Sequence, residues 1–228
     1  MEETAHIIKV ETSRRGTAQE KEADSYVAID LETTGLDPKH DKIIEIGAVL
    51  VIDGEIKETF STFVNPRREL DGRIRELTGI TGEMTAGAPD IGDVIGRVVE
   101  FCRDLPLLGH HIIFDYSFLK RAAVNKGLVF EKSGIDTLTL CRRFMPEEEK
   151  KNLENASRYY GIKQTDAHRA LADALTAHLL YRNVKRSHFS SAPEAFRCKP
   201  LVYKVKKEQP ASKKQKEVLR ELLKYHRI

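Results

Sequence analysis

Two carboxylates lie close together at the end of the first apolar segment of the chain. Asp30 and Glu32 are two residues apart, and side chains at this spacing project from the same face of a β-strand. Neighbouring anions repel each other, and a cation between them relieves the repulsion. A D-x-E pair also occurs often by chance, so this spacing indicates a metal site without establishing one.

A third carboxylate, Asp115, follows two histidines near the predicted start of a helix. An acid in the first turn of a helix also interacts favourably with the helix dipole, which is the simpler interpretation. That interpretation accounts neither for His110 and His111 nor for the aromatic residues around Asp115. An exposed ring beside a carboxylate is typical of a platform on which a terminal base stacks, whereas Phe118 is expected to be core.

The last candidates are His168 and Asp173, in a helix predicted from about Ala167 to Arg186 with Asp166 as its N-cap. Asp173 falls on an otherwise apolar helix face, where an unpaired carboxylate is costly. Five residues separate the two by about 140° around a regular helix. We therefore expect His168 in the first turn, from which it swings towards Asp173. A lone histidine is also common at protein surfaces.

Together these residues offer four carboxylates and no thiolate. Such an all-oxygen ligand set favours Mg²⁺ or Mn²⁺ over Zn²⁺. Two ions about 3.5–4 Å apart are a recurrent arrangement for hydrolysing phosphodiester bonds. Histidine ordinarily titrates near pH 6.5, which suits His168 to take a proton from the attacking water.

The surrounding sequence predicts the elements that position these residues. Strands are predicted at Tyr26–Asp30, Lys42–Ile52 and Glu55–Val64, and Asp53-Gly54 joins the last two as a hairpin turn. Short apolar runs at 106–109 and 135–136 predict two further strands. Helices are predicted between and after them, at 71–77, 89–104, 114–126, 137–144 and 152–160. We therefore predict an α/β fold of the ribonuclease H-like type, a mixed five-stranded sheet flanked by helices.

Charge divides the 228 residues into a polar leader (1–24), a body (25–186) and a basic extension (187–228). Residues 183–228 hold 13 Lys/Arg against 4 Asp/Glu, whereas residues 25–182 hold 21 against 25. An acidic body with a basic tail suits a protein that binds metal ions and approaches a polyanion, although a merely solvated tail explains the charge as well. The amphipathic helix predicted at 211–226 could bind nucleic acid, pack on the body or dock a partner.

Some classes of protein are disfavoured by composition. No run approaches the roughly 18 apolar residues of a membrane helix, and the first 24 residues have no apolar signal-like segment. The three cysteines lack the spacing of a metal or redox motif. The expected compartment is therefore the cytoplasm.

In order and spacing, these motifs resemble the DEDDh family of 3′→5′ exonucleases (DnaQ-like). The resemblance is greatest to the proofreading subunit of bacterial DNA polymerase III and to the exonuclease of PolC-type polymerases. It covers about residues 25–186. The motifs are Asp30-Leu-Glu-Thr-Thr-Gly-Leu36 with Ile44–Ala48, Glu76–Thr81, Gly109–Asp115 and His168-Arg-Ala-Leu-Ala-Asp173.

The resemblance implies roles for individual residues. It implies a general base, His168, and four metal ligands, Asp30, Glu32, Asp115 and Asp173. It also implies that the terminal nucleotide is contacted by Thr33, Leu36, His110, His111 and Phe114. Relatives usually have Asn at the position of His111, so no particular hydrogen bond is carried over to that residue.

The reaction implied by the resemblance releases nucleoside 5′-monophosphates from single-stranded or frayed DNA ends, as in proofreading or repair. A DNA polymerase or another replication or repair protein is then the expected partner of the C-terminal tail. Two alternatives remain open. An RNA 3′ exonuclease uses the same site chemistry, because few groups read the 2′-OH. A non-catalytic nucleic-acid-binding module is the other, although it gains little from four clustered carboxylates.

Overall fold

The computed structural model describes residues 24–164, 167–205 and 212–225. Its strands form one mixed sheet in the order β3-β2-β1-β4-β5-β6. The strands are β1 (Tyr26–Thr33), β2 (Ile43–Ile52), β3 (Glu55–Phe63), β4 (Leu107–Gly109), β5 (Ser133–Asp136) and β6 (Lys199–Pro200). The first three pair antiparallel, whereas β4 runs parallel to β1 and β5 runs parallel to β4. The predicted α/β class and mixed sheet are confirmed, and β6 is a sixth strand beyond the five predicted.

Eight α-helices lie in the described residues. They are α1 (Gly72–Thr78), α2 (Gly82–Ala86), α3 (Ile91–Cys102), α4 (Ile113–Lys126), α5 (Thr137–Phe144), α6 (Leu153–Tyr159), α7 (Ala170–His188) and α8 (Lys213–Tyr225). No sequence pattern predicts α2, because five residues are too few to show helical periodicity. In this part of the chain, no helix combines the length and apolar character of a membrane span.

Alternation along β1 assigns its side chains to two cores, one on each face of the sheet. Val27 and Ile29 pack towards α3 and α4, whereas Ala28 packs towards α5, α6 and α7. Because side chains two apart share a face, Asp30 and Glu32 continue the face of Ala28. Both carboxylates therefore project towards α7.

The chain after α7 returns to the sheet. A 3₁₀ turn (Pro193–Phe196) buries Phe196 completely, with its ring 6.2 Å from that of Tyr181. The strand β6 then pairs with β5. The domain boundary expected at residue 186 stays a prediction, and both of these features beyond it pack on the same sheet.

The two ends of the chain are described only in part. The predicted polar leader lies outside the described residues, apart from Asp24. The predicted C-terminal amphipathic helix is observed as α8, and each of its residues is exposed. Packing of this helix on the body, one of the alternatives left open by the sequence, is therefore not observed for the described residues.

Candidate active site

Asp30 and Glu32 lie near the end of β1, opposite two residues of β2. Asp30 pairs in register with Gly47, and Glu32 pairs with Glu45. Both β1 carboxylates are partly buried. The same face of the sheet therefore presents three carboxylates (Asp30, Glu32 and Glu45) and one glycine (Gly47) to the start of α7.

Asp115 reaches β1 from the first turn of α4. The pairing of β4 with β1 ends at Ala28, and beyond it the Leu31 N–H donates to Asp115 Oδ1 at 3.0 Å. Asp115 thus takes the place of a strand partner at the end of β1, and it is 3% exposed. This hydrogen bond fixes the carboxylate beside Asp30.

The start of α7 corrects the prediction for His168. The helix begins at Ala170, so His168 lies before it and not in its first turn, and the predicted N-cap Asp166 is outside the described residues. His168 has φ +64°, a left-handed conformation that periodicity cannot reveal, and its N–H donates to Asp173 Oδ2 at 3.2 Å. The expected 140° separation therefore does not apply.

The corrected geometry brings His168 to the carboxylates. One ligand atom each of Glu32, His168 and Asp173 lies within 4.8 Å of the others. His168 is exposed and Asp173 is buried. This arrangement suits a solvent-accessible base beside a buried acidic ligand.

Glu45 and Arg169 hold this loop in place, and the sequence motifs do not identify this pairing. The Arg169 guanidinium donates from Nη2 to Glu45 Oε1 at 2.8 Å and from Nε to Oε2 at 3.2 Å. The Ala170 N–H donates to the same Oε2 at 3.2 Å, so Glu45 also caps α7. Glu45 is 2% exposed. The buried carboxylate therefore anchors the residue next to His168.

Gly47 allows α7 to approach the sheet closely. A Cβ at this position would lie 2.1 Å from Leu171 N and 2.2 Å from Ala170 C, which are both backbone atoms. A side chain is therefore excluded where the helix passes over β2. The glycine sets how near Asp173 comes to Asp30.

The carboxylates raise one another's pKa values. Burial, and then Asp115, Asp173 and Glu32, raise the pKa of Asp30 well above its ordinary value. Burial, Asp173 and Glu45 raise the pKa of Glu32 to about 7, while Arg169 opposes the shift. Burial likewise raises the pKa values of Asp115 and Asp173. The site therefore favours bound cations, either protons or metal ions.

Gln164 is a further neighbour that the sequence motifs do not reveal. Its Nε2 donates to Asp173 Oδ1 at 2.6 Å, which orients the Asp173 carboxylate. Its Oε1 is buried and has no hydrogen-bond partner among the described residues. Gln164 stands in none of the sequence motifs, so only three-dimensional proximity identifies it.

Three of the predicted substrate contacts stand next to cluster residues in the chain or in the turn after β1. Thr33 Oγ1 donates to Gly35 O at 2.7 Å, shaping the turn after β1, and Leu36 beyond it is 83% exposed. The half-buried Phe114 has its ring 5.1 Å from that of Phe118. Leu36 therefore presents an exposed apolar side chain on the turn that follows β1.

The two adjacent histidines differ. His110 uses both ring nitrogens within the protein, at 3.0 Å from Thr137 Oγ1 and 2.7 Å from Lys151 O. His111 is exposed with φ +74°, and its N–H donates to Asp136 Oδ1 at 2.7 Å. The His110 ring is therefore engaged within the protein, and its contact with the terminal nucleotide stays a prediction.

The fold and site define an acidic centre at the end of the first strand of a mixed α/β sheet. Residues 27–181 match the model of the RNase_T exonuclease family. The chain belongs to this family, and its predicted kinship with DnaQ-like exonucleases is confirmed.

Relatives include PolC-type DNA polymerase III proteins. That of Bacillus subtilis (strain 168) is 43% identical over 168 residues, which are 72% of this chain and 12% of the relative. That of Clostridium perfringens is 40% identical over 164 residues, or 72% of this chain and 11% of the relative. The chain thus spans about one-eighth of the length of these polymerases.

Solved structures share the fold. Exonuclease X in complex with 5′ overhanging duplex DNA is 26% identical, with a TM-score of 0.58, and the match covers 74% of this chain and 96% of that one. E. coli Exonuclease I in complex with a dT13 oligonucleotide has a TM-score of 0.64 at 19% identity, covering 76% of this chain and 43% of that one. The second match supports the fold alone.

Proposed function

We propose that this protein is a metal-dependent 3′→5′ exonuclease that hydrolyses terminal phosphodiester bonds of DNA and releases nucleoside 5′-monophosphates. The observation that carries the proposal is the cluster at the end of β1: ligand atoms of Glu32, His168 and Asp173 lie within 4.8 Å of one another, and the charges of Asp30 and Asp115 act on the same group of carboxylates. The PolC-type relatives and the DNA-bound exonuclease neighbours support DNA as the polymer.

The site fits divalent metal ions on its own chemistry. Its donors are carboxylate oxygens whose pKa values burial and mutual repulsion raise, so a cation relieves a cost already present. Oxygen donors favour Mg²⁺ or Mn²⁺, and we assign two ions to Asp30, Glu32, Asp115 and Asp173. Such ions lower the pKa of an attacking water and stabilise a leaving 3′ oxygen.

The chain's own groups supply the remaining chemistry. A ring nitrogen of His168 accepts the proton of the attacking water, and its exposed loop position lets the imidazole then release that proton to solvent. Thr33, Leu36 and Phe114 contact the terminal nucleotide, with the exposed Leu36 offering apolar surface to its base. The Glu45–Arg169 pair keeps the His168 loop at the carboxylates.

Trimming of an end-labelled DNA oligomer with Mg²⁺ or Mn²⁺ tests the proposal. We expect 3′-terminal nucleotides to be released singly, and Asp30→Asn and His168→Ala to trim at least about 100-fold more slowly while remaining folded. For Asp30 the reason is that even a residue that only orients a metal ligand is worth roughly 10- to 100-fold. For His168 it is that a general base contributes roughly 100- to 10,000-fold. Asp37→Asn, at an exposed acid outside the cluster, is the matched control. Wild-type rates in both site variants would refute the proposed chemistry.

The same assay separates DNA from RNA. Among the described residues, the carboxylates of the site address the phosphate and not the sugar, so the preference for DNA rests on the relatives. We expect faster trimming of the DNA oligomer than of an RNA oligomer of the same sequence. A faster RNA reaction would replace the DNA assignment with the RNA exonuclease alternative and leave the site chemistry intact.

We further propose that α8 docks on a replication or repair protein, such as a PolC-type polymerase. Its apolar stripe is exposed: Val218, Leu219, Leu222 and Leu223 are 39–56% accessible. A helix of 13 residues is marginal alone and gains stability when it buries such a stripe. Co-elution with a PolC-type polymerase is expected for the wild type and abolished in Leu219→Asp/Leu222→Asp, whereas equal elution of both proteins contradicts the proposal.

A further inference from the structure

A cavity lies at the same end of the sheet as the carboxylate site. Its volume is about 250 Å³, and it is enclosed by the end of β5, the starts of α4 and α5, and the segment around β6. Ile113 of α4, Leu140 of α5 and Leu201 after β6 give it apolar walls. Arg197 and Lys199 stand on the side formed by the C-terminal segment, and both are exposed.

The cavity lies at the carboxyl ends of the parallel strands, as the carboxylate site does. Gly109 at the end of β4 pairs with Asp136 at the end of β5, and β4 pairs in parallel with β1. Two strand spacings, or about 10 Å, separate β5 from β1. Stacked nucleotides are about 3.4 Å apart, so about three of them span this distance. A strand whose end lies at Asp30 can therefore reach this cavity.

The charge of the cavity suits a polyanion. Asp136 is the acid in its wall, and both of its oxygens accept protein hydrogen bonds, from the N–H groups of His111 and Leu138 and from the Thr139 hydroxyl. The nearby Glu194 forms an ion pair with Arg143. Among the described residues that line the cavity, the two cations Arg197 and Lys199 thus outnumber the one acid. Cations beside apolar walls are the combination that binds phosphates together with bases.

The two cations are held by the fold and not carried on a loose tail. Phe196, next to Arg197, is fully buried against the rings of Tyr181 and Phe189. Lys199 belongs to β6 and pairs in register with Gly134. Both cations lie beyond residues 27–181, the part that matches the family. Their placement is therefore a property of this chain's own C-terminal segment.

We propose that this cavity binds the nucleic-acid strand a few nucleotides upstream of the terminal nucleotide, with Arg197 and Lys199 contacting its phosphates. The inference rests on the proposed exonuclease function and assigns a second substrate-binding region to it. Longer substrates gain affinity from this region, whereas a substrate of one nucleotide does not reach it.

Arg197→Gln/Lys199→Gln tests the proposal with two substrates in Mn²⁺. One is a single-stranded DNA 10-mer, and the other is the p-nitrophenyl ester of thymidine 5′-monophosphate, which presents one nucleotide. For the 10-mer we expect KM to rise about tenfold with kcat unchanged. The dependence of log kcat/KM on log salt should become shallower by about 1.4, because each phosphate that no longer meets a cation reduces the slope by about 0.7. Ester hydrolysis should be unchanged.

The matched control is Lys57→Gln/Lys126→Gln, which removes two exposed cations from β3 and the far end of α4. It should leave KM and the salt dependence at wild-type values. A wild-type KM and salt slope in the Arg197/Lys199 variant, or an equal reduction of kcat/KM on both substrates, overturns the proposed strand site. If the wild-type protein hydrolyses neither substrate, the result instead overturns the exonuclease function on which the proposed strand site rests.

Discussion

The Asp115 carboxylate accepts the Leu31 N–H and also contributes one of the negative charges around Asp30. The first role needs an oxygen acceptor, which an amide also provides. The second role needs a charge, which an amide lacks. An isosteric substitution therefore separates the fold-supporting role of this side chain from its proposed catalytic role.

We predict that Asp115→Asn retains the fold but trims DNA at least about 100-fold more slowly. Loss of a residue that only orients a metal ligand lowers activity roughly 10- to 100-fold, and loss of a ligand itself should cost more. Asp115→Ala additionally leaves the buried Leu31 N–H without an acceptor, which costs about 1–3 kcal/mol of unfolding free energy. Trimming rates and urea unfolding measure the two effects. Near-wild-type trimming by Asp115→Asn would remove Asp115 from the proposed ligands.

At the scale of the elements, local patterns predict much of the fold but not the loop before α7. Asp53 and Gly54 have φ of +51° and +79°, as the predicted hairpin turn requires, and the antiparallel pairing of β2 with β3 follows from it. The true start of α7 depends instead on Glu45, which lies 124 positions before Arg169. Such a pairing leaves no periodic signal in the sequence.

The same limit applies to β6 and to the cavity beside it. A strand of two residues shows no alternation, and it forms because Phe196 is buried in the core on the α7 face of the sheet. The sequence therefore predicts a basic extension but not the return of its first part to the sheet. By contrast, the carboxylates of the D-x-E pair are predictable, since strand geometry alone puts them on one face.

The Glu45–Arg169 pair is expected to respond asymmetrically to substitution. Arg169→Gln leaves Glu45 as a buried carboxylate without its ion-pair partner, because the Glu45 side chain is 2% exposed. Glu45→Gln leaves Arg169 within reach of water, because the Arg169 side chain is 42% exposed. We predict a loss of about 3–5 kcal/mol of unfolding free energy for Arg169→Gln and of about 1 kcal/mol for Glu45→Gln, which keeps an oxygen for the Ala170 N–H.

Both variants should also lower kcat with little change in KM, because they loosen the loop that carries His168. Urea unfolding and steady-state kinetics on a DNA oligomer test these expectations. Equal destabilisation by the two substitutions contradicts the asymmetry, and wild-type kcat in both variants contradicts the positioning role.

Gly47 offers a second test of how the elements meet. A methyl group there overlaps the backbone of α7, so we predict that Gly47→Ala displaces the helix start, destabilises the protein by several kcal/mol and abolishes trimming. Gly96→Ala is the matched control, because a Cβ at this α3 position meets nothing within 4 Å. That control should stabilise the protein by about 0.5–1 kcal/mol and leave trimming unchanged. Retained activity in Gly47→Ala contradicts the close approach.

For the whole molecule, the acidic site links stability to metal ions and to pH. Carboxylates with raised folded-state pKa values bind protons more tightly in the folded protein than in the unfolded chain. As pH rises from the ordinary 4.5 of Glu32 to its folded value of about 7, protons leave the folded site, and these groups lower the stability of the metal-free protein. Above pH 7 the Glu32 carboxylate is ionised, and metal ions compete with fewer protons at the site.

We predict that Mn²⁺ raises the Tm more at pH 8 than at pH 6, because metal binding must displace protons at the lower pH. At a concentration about 100-fold above Kd, binding adds about 2.7 kcal/mol, which corresponds to roughly 5–10 °C for a domain of this size. Thermal unfolding followed by fluorescence, with EDTA as the metal-free reference, measures the shift. Asp30→Asn should remove most of it at both pH values, since one of the ligands no longer carries charge. A larger shift at pH 6 than at pH 8, or an undiminished shift in Asp30→Asn, would mean that Mn²⁺ binds somewhere other than this carboxylate cluster.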